Sequence, residues 1–128
     1  NAELADLQKK YGFPAGRLLA AIADNGNVVG CVAYCRHSAV RCEMKRLYVL
    51  PAYRKDGIGQ ALLTEIVNLA EAHGYEDMVL DTLLPMESAI RLYRRNGFEE
   101  ISAYYENPMD DVLYFRRKLI PPQKGAEK

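Results

Sequence analysis

From Val49 to Leu63 the sequence runs Val49-Leu50-Pro51-Ala52-Tyr53-Arg54-Lys55-Asp56-Gly57-Ile58-Gly59-Gln60-Ala61-Leu62-Leu63, and no other stretch restricts the fold as strongly. A strand is stopped by Pro51, two glycines follow, and then Ile58, Leu62, Ile66, Leu69 and His73 recur on one helical face. A strand that passes through a glycine loop into a helix aims the first helical amides, and the positive end of the helix dipole, at one point. That point suits an anion. Glycine lets the backbone come close to it, and Arg54 or Lys55 would add positive charge. A P-loop needs Gly-Lys-Ser/Thr, whereas Gly59 is followed by Gln60-Ala61. A dinucleotide fingerprint needs a third glycine where Leu62 stands. On these residues alone, a helix start with two glycines and no ligand fits as well as an anion site.

The surrounding elements say what kind of sheet carries this loop. Leu4, Leu7 and Tyr11 have helical spacing, which predicts a helix over Ala2–Lys10. Leu18–Asp24 and Val28–Arg36 flank the tight-turn sequence Asn25-Gly26-Asn27 and read as a β-hairpin. Cys42–Leu50 is a third strand, the helix from Ile58 stops at Gly74, and Glu76–Thr82 is a fourth strand. Pro85 can open a helix that carries Met86, Ala89, Ile90 and Tyr93 on one stripe and ends at Gly97. Phe98–Tyr105 and Asp111–Leu119 are read as the last strands, separated by Asn107-Pro108. The order predicts a mixed α/β, α+β-like domain in which the strands of Cys42–Thr82 pair in parallel. One domain spans residues 1–128, with 120–128 expected as a frayed tail.

Composition excludes more than it identifies. Lys plus Arg and Asp plus Glu each number 17, so the zero net charge speaks against a dedicated nucleic-acid binder. No apolar run reaches membrane-span length and no signal peptide is visible, so no membrane partner and a cytoplasmic location are expected. Cys31 and Cys35 share one face of a strand and read as small apolar residues. With Cys42, His37 and His73 they do not assemble a tetrahedral zinc set, and no metal is expected.

The loop Arg54-x-x-Gly57-x-Gly59 resembles the pyrophosphate-binding loop of the GNAT superfamily of N-acetyltransferases, Gln/Arg-x-x-Gly-x-Gly/Ala. Leu47-Tyr48-Val49-x-Pro51-x-Tyr53-Arg54 resembles the strand before it. Ala89-Ile90-x-Leu92-Tyr93-x-x-x-Gly97-Phe98 resembles the family's later helix with its closing Gly-Phe. The joint match covers roughly residues 18–119. It implies a GNAT fold: a central mixed twisted sheet with helices on both faces, here without the family's first strand and first helix. It also implies acetyl-CoA as cosubstrate, an amine acceptor, and contacts to CoA from Leu47, Tyr48, Val49, Arg54, Lys55, Asp56, Gly57, Ile58, Gly59 and Gln60. Pantetheine should lie where the strand Glu43–Leu50 splays from Glu76–Thr82. Dimers are common in the family, so a homodimer is compatible. Three features depart from the pattern. Lys55 and Asp56 stand where glycine and a basic residue are frequent, and Met86 replaces an asparagine. Asp56, Met86 and the missing first elements keep in view an idle CoA-binding module; a second alternative is an enzyme for another acyl-CoA, which the width of the slot near Tyr93 would decide.

Acetyl transfer requires a neutral amine, and at pH 7 roughly one lysine-like amine in a few thousand is neutral. A base must take the proton, and the departing thiolate gains from a nearby donor. The resemblance places Glu43, at the start of the strand that leads to the loop, where histone-type members have a glutamate base. It makes Tyr93 the acid near the sulfur. Each residue has a plain structural alternative, a solvated strand glutamate and a core aromatic. Lys45 and Arg46 are charges in a central strand. They either face the acceptor groove or pair across the sheet. Tyr104, Tyr105 and Glu106 fall where the family borders its acceptor site or a dimer contact.

Overall fold

A computed structural model describes residues 16–107 and 109–122. The helix expected over 2–10 and the tail from 123 onward lie outside the described residues. Six strands form one mixed sheet: β1 (Gly16–Ile22), β2 (Val28–Arg36), β3 (Arg41–Val49), β4 (Asp77–Leu83), β5 (Glu99–Ile101) and β6 (Val112–Lys118). Their spatial order is β1-β2-β3-β4-β6-β5. Every neighbouring pair is antiparallel except β3 and β4, which run parallel as expected of a strand–helix–strand unit. Among the described residues two α-helices accompany the sheet, α1 (Ile58–Ala72) and α2 (Glu87–Arg95), and a 3-10 turn, Pro51–Tyr53, leads from β3 toward α1.

Strand alternation sorts the sheet into two unlike faces. Val32, Tyr34, Cys42, Met44, Met78, Leu80 and Phe115 share one core with Leu62, Leu63, Ile66, Val67 and Ala70 of α1 and with Tyr93 of α2. Both described helices therefore pack on one face. Full burial of each large aliphatic side chain there contributes about 1.5–3 kcal/mol. The opposite face carries Leu18 and Ala33 with Cys31 and Cys35 packed against them, and no helix among the described residues. Cys31 and Cys35 thus share the face that their spacing predicted. Buried Asp77 accepts hydrogen bonds from Arg41 (3.0 Å) and Arg116 (2.7 Å), tying β3, β4 and β6 together. Burial alone would raise its carboxyl, but the two guanidiniums hold it below the usual value. The folded chain therefore binds fewer protons there than the unfolded chain. The contribution is complete above the unfolded carboxylate pKa and is lost as pH falls through the folded value.

Two local features shape the gap between β3 and β4 and the tyrosine beneath it. The β2–β3 register runs from Cys31↔Tyr48 to Ala33↔Lys45, so β3 has an extra residue between them. Arg46 sits in that bulge at φ 61, a left-handed conformation that costs a non-glycine residue energy, and the Cys31 thiol donates to its carbonyl at 3.3 Å. On α2, Gly97 (φ 85) follows the cap Asn96. Its N–H donates to Arg94 and the Phe98 N–H donates to Tyr93, the paired bonds of a Schellman motif. The Phe98 ring then lies 5.9 Å from that of Tyr93, so the Gly-Phe ending fixes the tyrosine from below.

One expected strand is shorter than predicted. Phe98–Tyr105 reads as continuous β, yet pairing to β6 ends at Ile101↔Tyr114. Beyond it the chain leaves the ladder, because the Tyr104 and Tyr105 hydroxyls find carboxylates on β3 and β4.

Candidate active site

The parallel pairing of β3 and β4 covers only Arg41↔Asp77, Cys42↔Met78 and Glu43↔Val79. Past that point, where the bulge at Arg46 interrupts β3, a cleft of about 740 Å³ lies between the strands. Met44, Lys45, Arg46 and Leu47 form one wall, and Leu80, Asp81, Thr82 and Leu83 form the other. Tyr93 of α2 lines it too, with Tyr105, Asn107 and Met109 from the segment after β5. Unpaired strand edges in a cleft present N–H and C=O groups to whatever lies between them. The family-based expectation of a splay at this place is met.

Gly57, at φ 80, caps α1 in the left-handed conformation. The first intrahelical bond runs from the Ala61 N–H to the Gly57 carbonyl at 3.1 Å. The amides of Gly57, Ile58, Gly59 and Gln60 thus precede it and are open to an anion. Arg54 and Asp56 contribute differently from the expectation. Their amides donate to Pro51 (3.4 Å) and Tyr53 (3.3 Å), building the turn before the cap. The Arg54 guanidinium bends back onto β3, where Nε donates to the Val49 carbonyl at 2.8 Å and the group lies over the Tyr48 ring. Lys55 and Asp56 are exposed. The Gln60 side chain is engaged in a reciprocal amide pair with Asn96 (2.7 and 2.9 Å), which clamps α1 to α2. Any contact from Gln60 to a ligand would come from its backbone. Leu47 lines the cleft, and Val49 is buried in the core.

Of the two residues expected to do chemistry, Tyr93 lies in the cleft and Glu43 does not. Burial, helped by the charge of Asp81, pushes the Tyr93 hydroxyl up to about 12. Glu43 sits at the last paired position, its Oε2 accepting from the Tyr104 hydroxyl at 2.6 Å and its Oε1 3.4 Å from Lys45 Nζ. Burial and the Glu43 carboxylate together raise the Tyr104 hydroxyl far above its usual range. Lys45 therefore lines the cleft while pairing along its own strand, and Arg46 lines it as well.

Sequence reasoning missed Asp81 and Asn96. Asp81 accepts a hydrogen bond from Tyr105, whose hydroxyl is raised to about 12, chiefly by that bond and by burial. A charged residue directly after the apolar run Met78-Val79-Leu80 was the available signal. Asn96 had none, since its partner is 36 residues away. Among the described residues no cluster of His, Cys, Asp and Glu could hold a metal, and no helix is long and apolar enough to cross a membrane.

The glycine loop, the splayed strands and the tyrosine define a GNAT-type acyl-transfer fold, and known proteins agree. Residues 14–100 match the Acetyltransferase (GNAT) domain. An uncharacterized N-acetyltransferase of Schizosaccharomyces pombe is 43% identical over 91% of this chain and 72% of its own length. A GNAT-family acetyltransferase from Staphylococcus aureus has a TM-score of 0.79 at 26% identity, covering 91% of this chain and 76% of its own. A phosphinothricin acetyltransferase from Sinorhizobium meliloti, in complex with AcCoA, shares the fold with a TM-score of 0.76 at 24% identity, covering 99% of this chain and 72% of its own. The chain spans only 37% and 34% of two further curated relatives. The chain belongs to the GNAT superfamily of N-acetyltransferases and is an acyltransferase.

Proposed function

We propose that the chain transfers an acetyl group from acetyl-CoA to a primary amine of a small molecule or peptide, directly, in a ternary complex. The observation that carries this reading is the geometry at the mouth of the cleft. A left-handed Gly57 and the amides of Gly57–Gln60 follow β3 through the Pro51–Tyr53 turn, after β3 has stopped pairing with β4 and where both strands line a cleft. The amides suit the pyrophosphate, and the slot between β3 and β4 suits the pantetheine arm. The Sinorhizobium meliloti relative, which carries AcCoA, supports the choice of acyl donor.

Tyr93 serves the leaving sulfur. With its hydroxyl at about 12, full proton transfer to a thiolate of pKa about 8.5 is uphill. Tyr93 therefore acts by donating a hydrogen bond as negative charge builds on the sulfur. A carboxylate takes the amine proton. Glu43 is the candidate from sequence, and Asp81 is the one that lines the cleft.

Calorimetric titration with CoA and acetyl-CoA tests the reading, with Gly57→Glu as control. Micromolar binding that the control weakens at least 100-fold is expected, because a carboxylate would then occupy the anion site. Equal binding by both proteins would overturn the assignment of the loop.

A further inference from the structure

Asp81 is the one acid among the described residues that line the cleft. It lies on β4 beyond the last position paired with β3, where it lines the cleft. Tyr105 donates to its Oδ2, and the Asn107 side chain donates to the Tyr105 hydroxyl at 2.8 Å. This chain of donors fixes one carboxylate oxygen and leaves Oδ1 for another donor. Asp81 and Tyr93 line the same cleft, and the charge of Asp81 adds to burial in raising the Tyr93 hydroxyl. Glu43 has both oxygens engaged, by Tyr104 and by Lys45, and is outside the cleft lining.

Resting on the acetyl-transfer reading, we propose that Asp81 is the docking point for the acceptor's ammonium and the base that takes its proton, with Tyr105, held by Asn107, as its positioning residue. The acceptors are then amines that arrive as cations. An ammonium N–H bonds to Oδ1 and passes its proton to the carboxylate. The freed nitrogen lone pair attacks the thioester carbonyl carbon, forming the C–N bond, and the nitrogen, now cationic, gives up a second proton to water. The C–S bond breaks, its electron pair goes to sulfur, and the thiolate is met by the Tyr93 hydroxyl and protonated from water. Asp81 returns its proton to solvent. One amide, one thiol and one proton result from one ammonium and one thioester.

Free-thiol release from acetyl-CoA, measured from pH 5 to 10 with lysine, spermidine, glucosamine and a lysine-containing peptide, tests this. Asp81→Asn should lower kcat/KM for the amine by about 100-fold or more and abolish the acidic limb of its pH profile. Acetyl-CoA affinity should fall far less than kcat/KM, because Asp81 is not among the amides assigned to the pyrophosphate. Asp81→Glu, which keeps the charge, should recover a substantial part of the rate. Tyr105→Phe should move the acidic limb to higher pH, because a carboxylate that loses a hydrogen bond becomes more basic. A merely structural tyrosine would not shift the limb. If Asp81→Asn keeps both rate and limb, or if the limb disappears only in Glu43→Gln, the assignment to Asp81 is wrong while the transfer reading stands. If the wild-type chain binds acetyl-CoA but releases no thiol with any of these amines, the transfer reading fails and the role of Asp81 with it.

Discussion

The two ends of the cleft are built in opposite ways. At the α1 end, cap and amides come from consecutive residues, Gly57 to Gln60, placed by the geometry of one helix start. At the other end, Lys45 comes from β3, Asp81 from β4, and Tyr105 and Asn107 from the segment after β5, with Glu43 of β3, outside the lining, bound to Lys45 and to Tyr104. No two of these elements adjoin in sequence, and only sheet pairing brings them together. Binding of a common donor needs a fixed local shape. Recognition of a particular acceptor is set by side chains that can change independently, since each rides on its own element.

The largest expected effect lies where the two ends meet. Tyr93 is positioned locally by the Schellman ending of α2 but lines the cleft. Tyr93→Phe keeps the ring contacts with Phe98 and Phe115 and removes only the hydroxyl. A fall in kcat of about 10- to 100-fold is expected, the loss of one donor to developing charge, with acetyl-CoA affinity unchanged. An unchanged kcat would reduce Tyr93 to a core aromatic and make the α1 end the only functional part legible in the sequence.

Next is the bulge on which both ends depend. Arg46→Val puts a β-branched residue at φ 61, where strain of about 1–3 kcal/mol is expected. The chain can relieve it by losing the bulge, which would restore β3–β4 pairing and narrow the cleft. A lower melting temperature together with weaker acetyl-CoA binding supports the bulge as the cause of the splay. Destabilisation with unaltered binding would mean that the splay has another origin.

How far the site could be read beforehand follows the same division. Arg54-x-x-Gly57-x-Gly59 and Tyr93-x-x-x-Gly97-Phe98 were readable because each motif is one local structure, a helix start and a helix stop. The order of elements and the parallel pair followed from periodicity and connection length. Glu43 was placed on the right strand but not in the cleft, since the register that sends Tyr104 to it crosses 61 residues. Arg54 carried a charge that suited the anion, yet the Val49 carbonyl at the end of β3 is a nearer acceptor. The length of β5 was overread because Tyr104 and Tyr105 have strong β propensity, which their hydroxyl partners override.

If the far end is an assembled unit, its residues should fail together. Tyr104, Tyr105 and Tyr114 lie edge to face with centroids 5.2–5.6 Å apart. A double-mutant cycle on Tyr104→Ala and Tyr105→Ala should give a coupling of about 0.5–3 kcal/mol in stability. Pairing Tyr105→Ala with Gly57→Ala, at opposite ends, should be additive within about 0.5 kcal/mol. Coupling between the opposite ends, or its absence within the tyrosine cluster, would break the division between a local end and an assembled one.

The smallest effect separates the two glycines of the loop. Gly57 is required by its backbone, for φ 80 strains any side chain even though nothing lies within 4 Å of the position a Cβ would take. Gly59 is in the first turn of α1, and a Cβ there would meet Leu92 at 3.7 Å and Val49 at 3.9 Å, ordinary contacts. The fold therefore does not demand glycine at 59. Gly59→Ala should raise stability by about 0.5–1 kcal/mol, the usual gain from replacing helical glycine. If acetyl-CoA affinity stays within about three-fold, the amides bind without close approach at this residue, a tolerance the Gly/Ala alternative in the family's loop leads one to expect. A gain in stability joined to a clear loss of affinity would show that the ligand, and not the protein, is what excludes the methyl group. Gly57→Ala should instead lose about 1 kcal/mol and weaken binding together, since it disturbs the cap that aims all four amides.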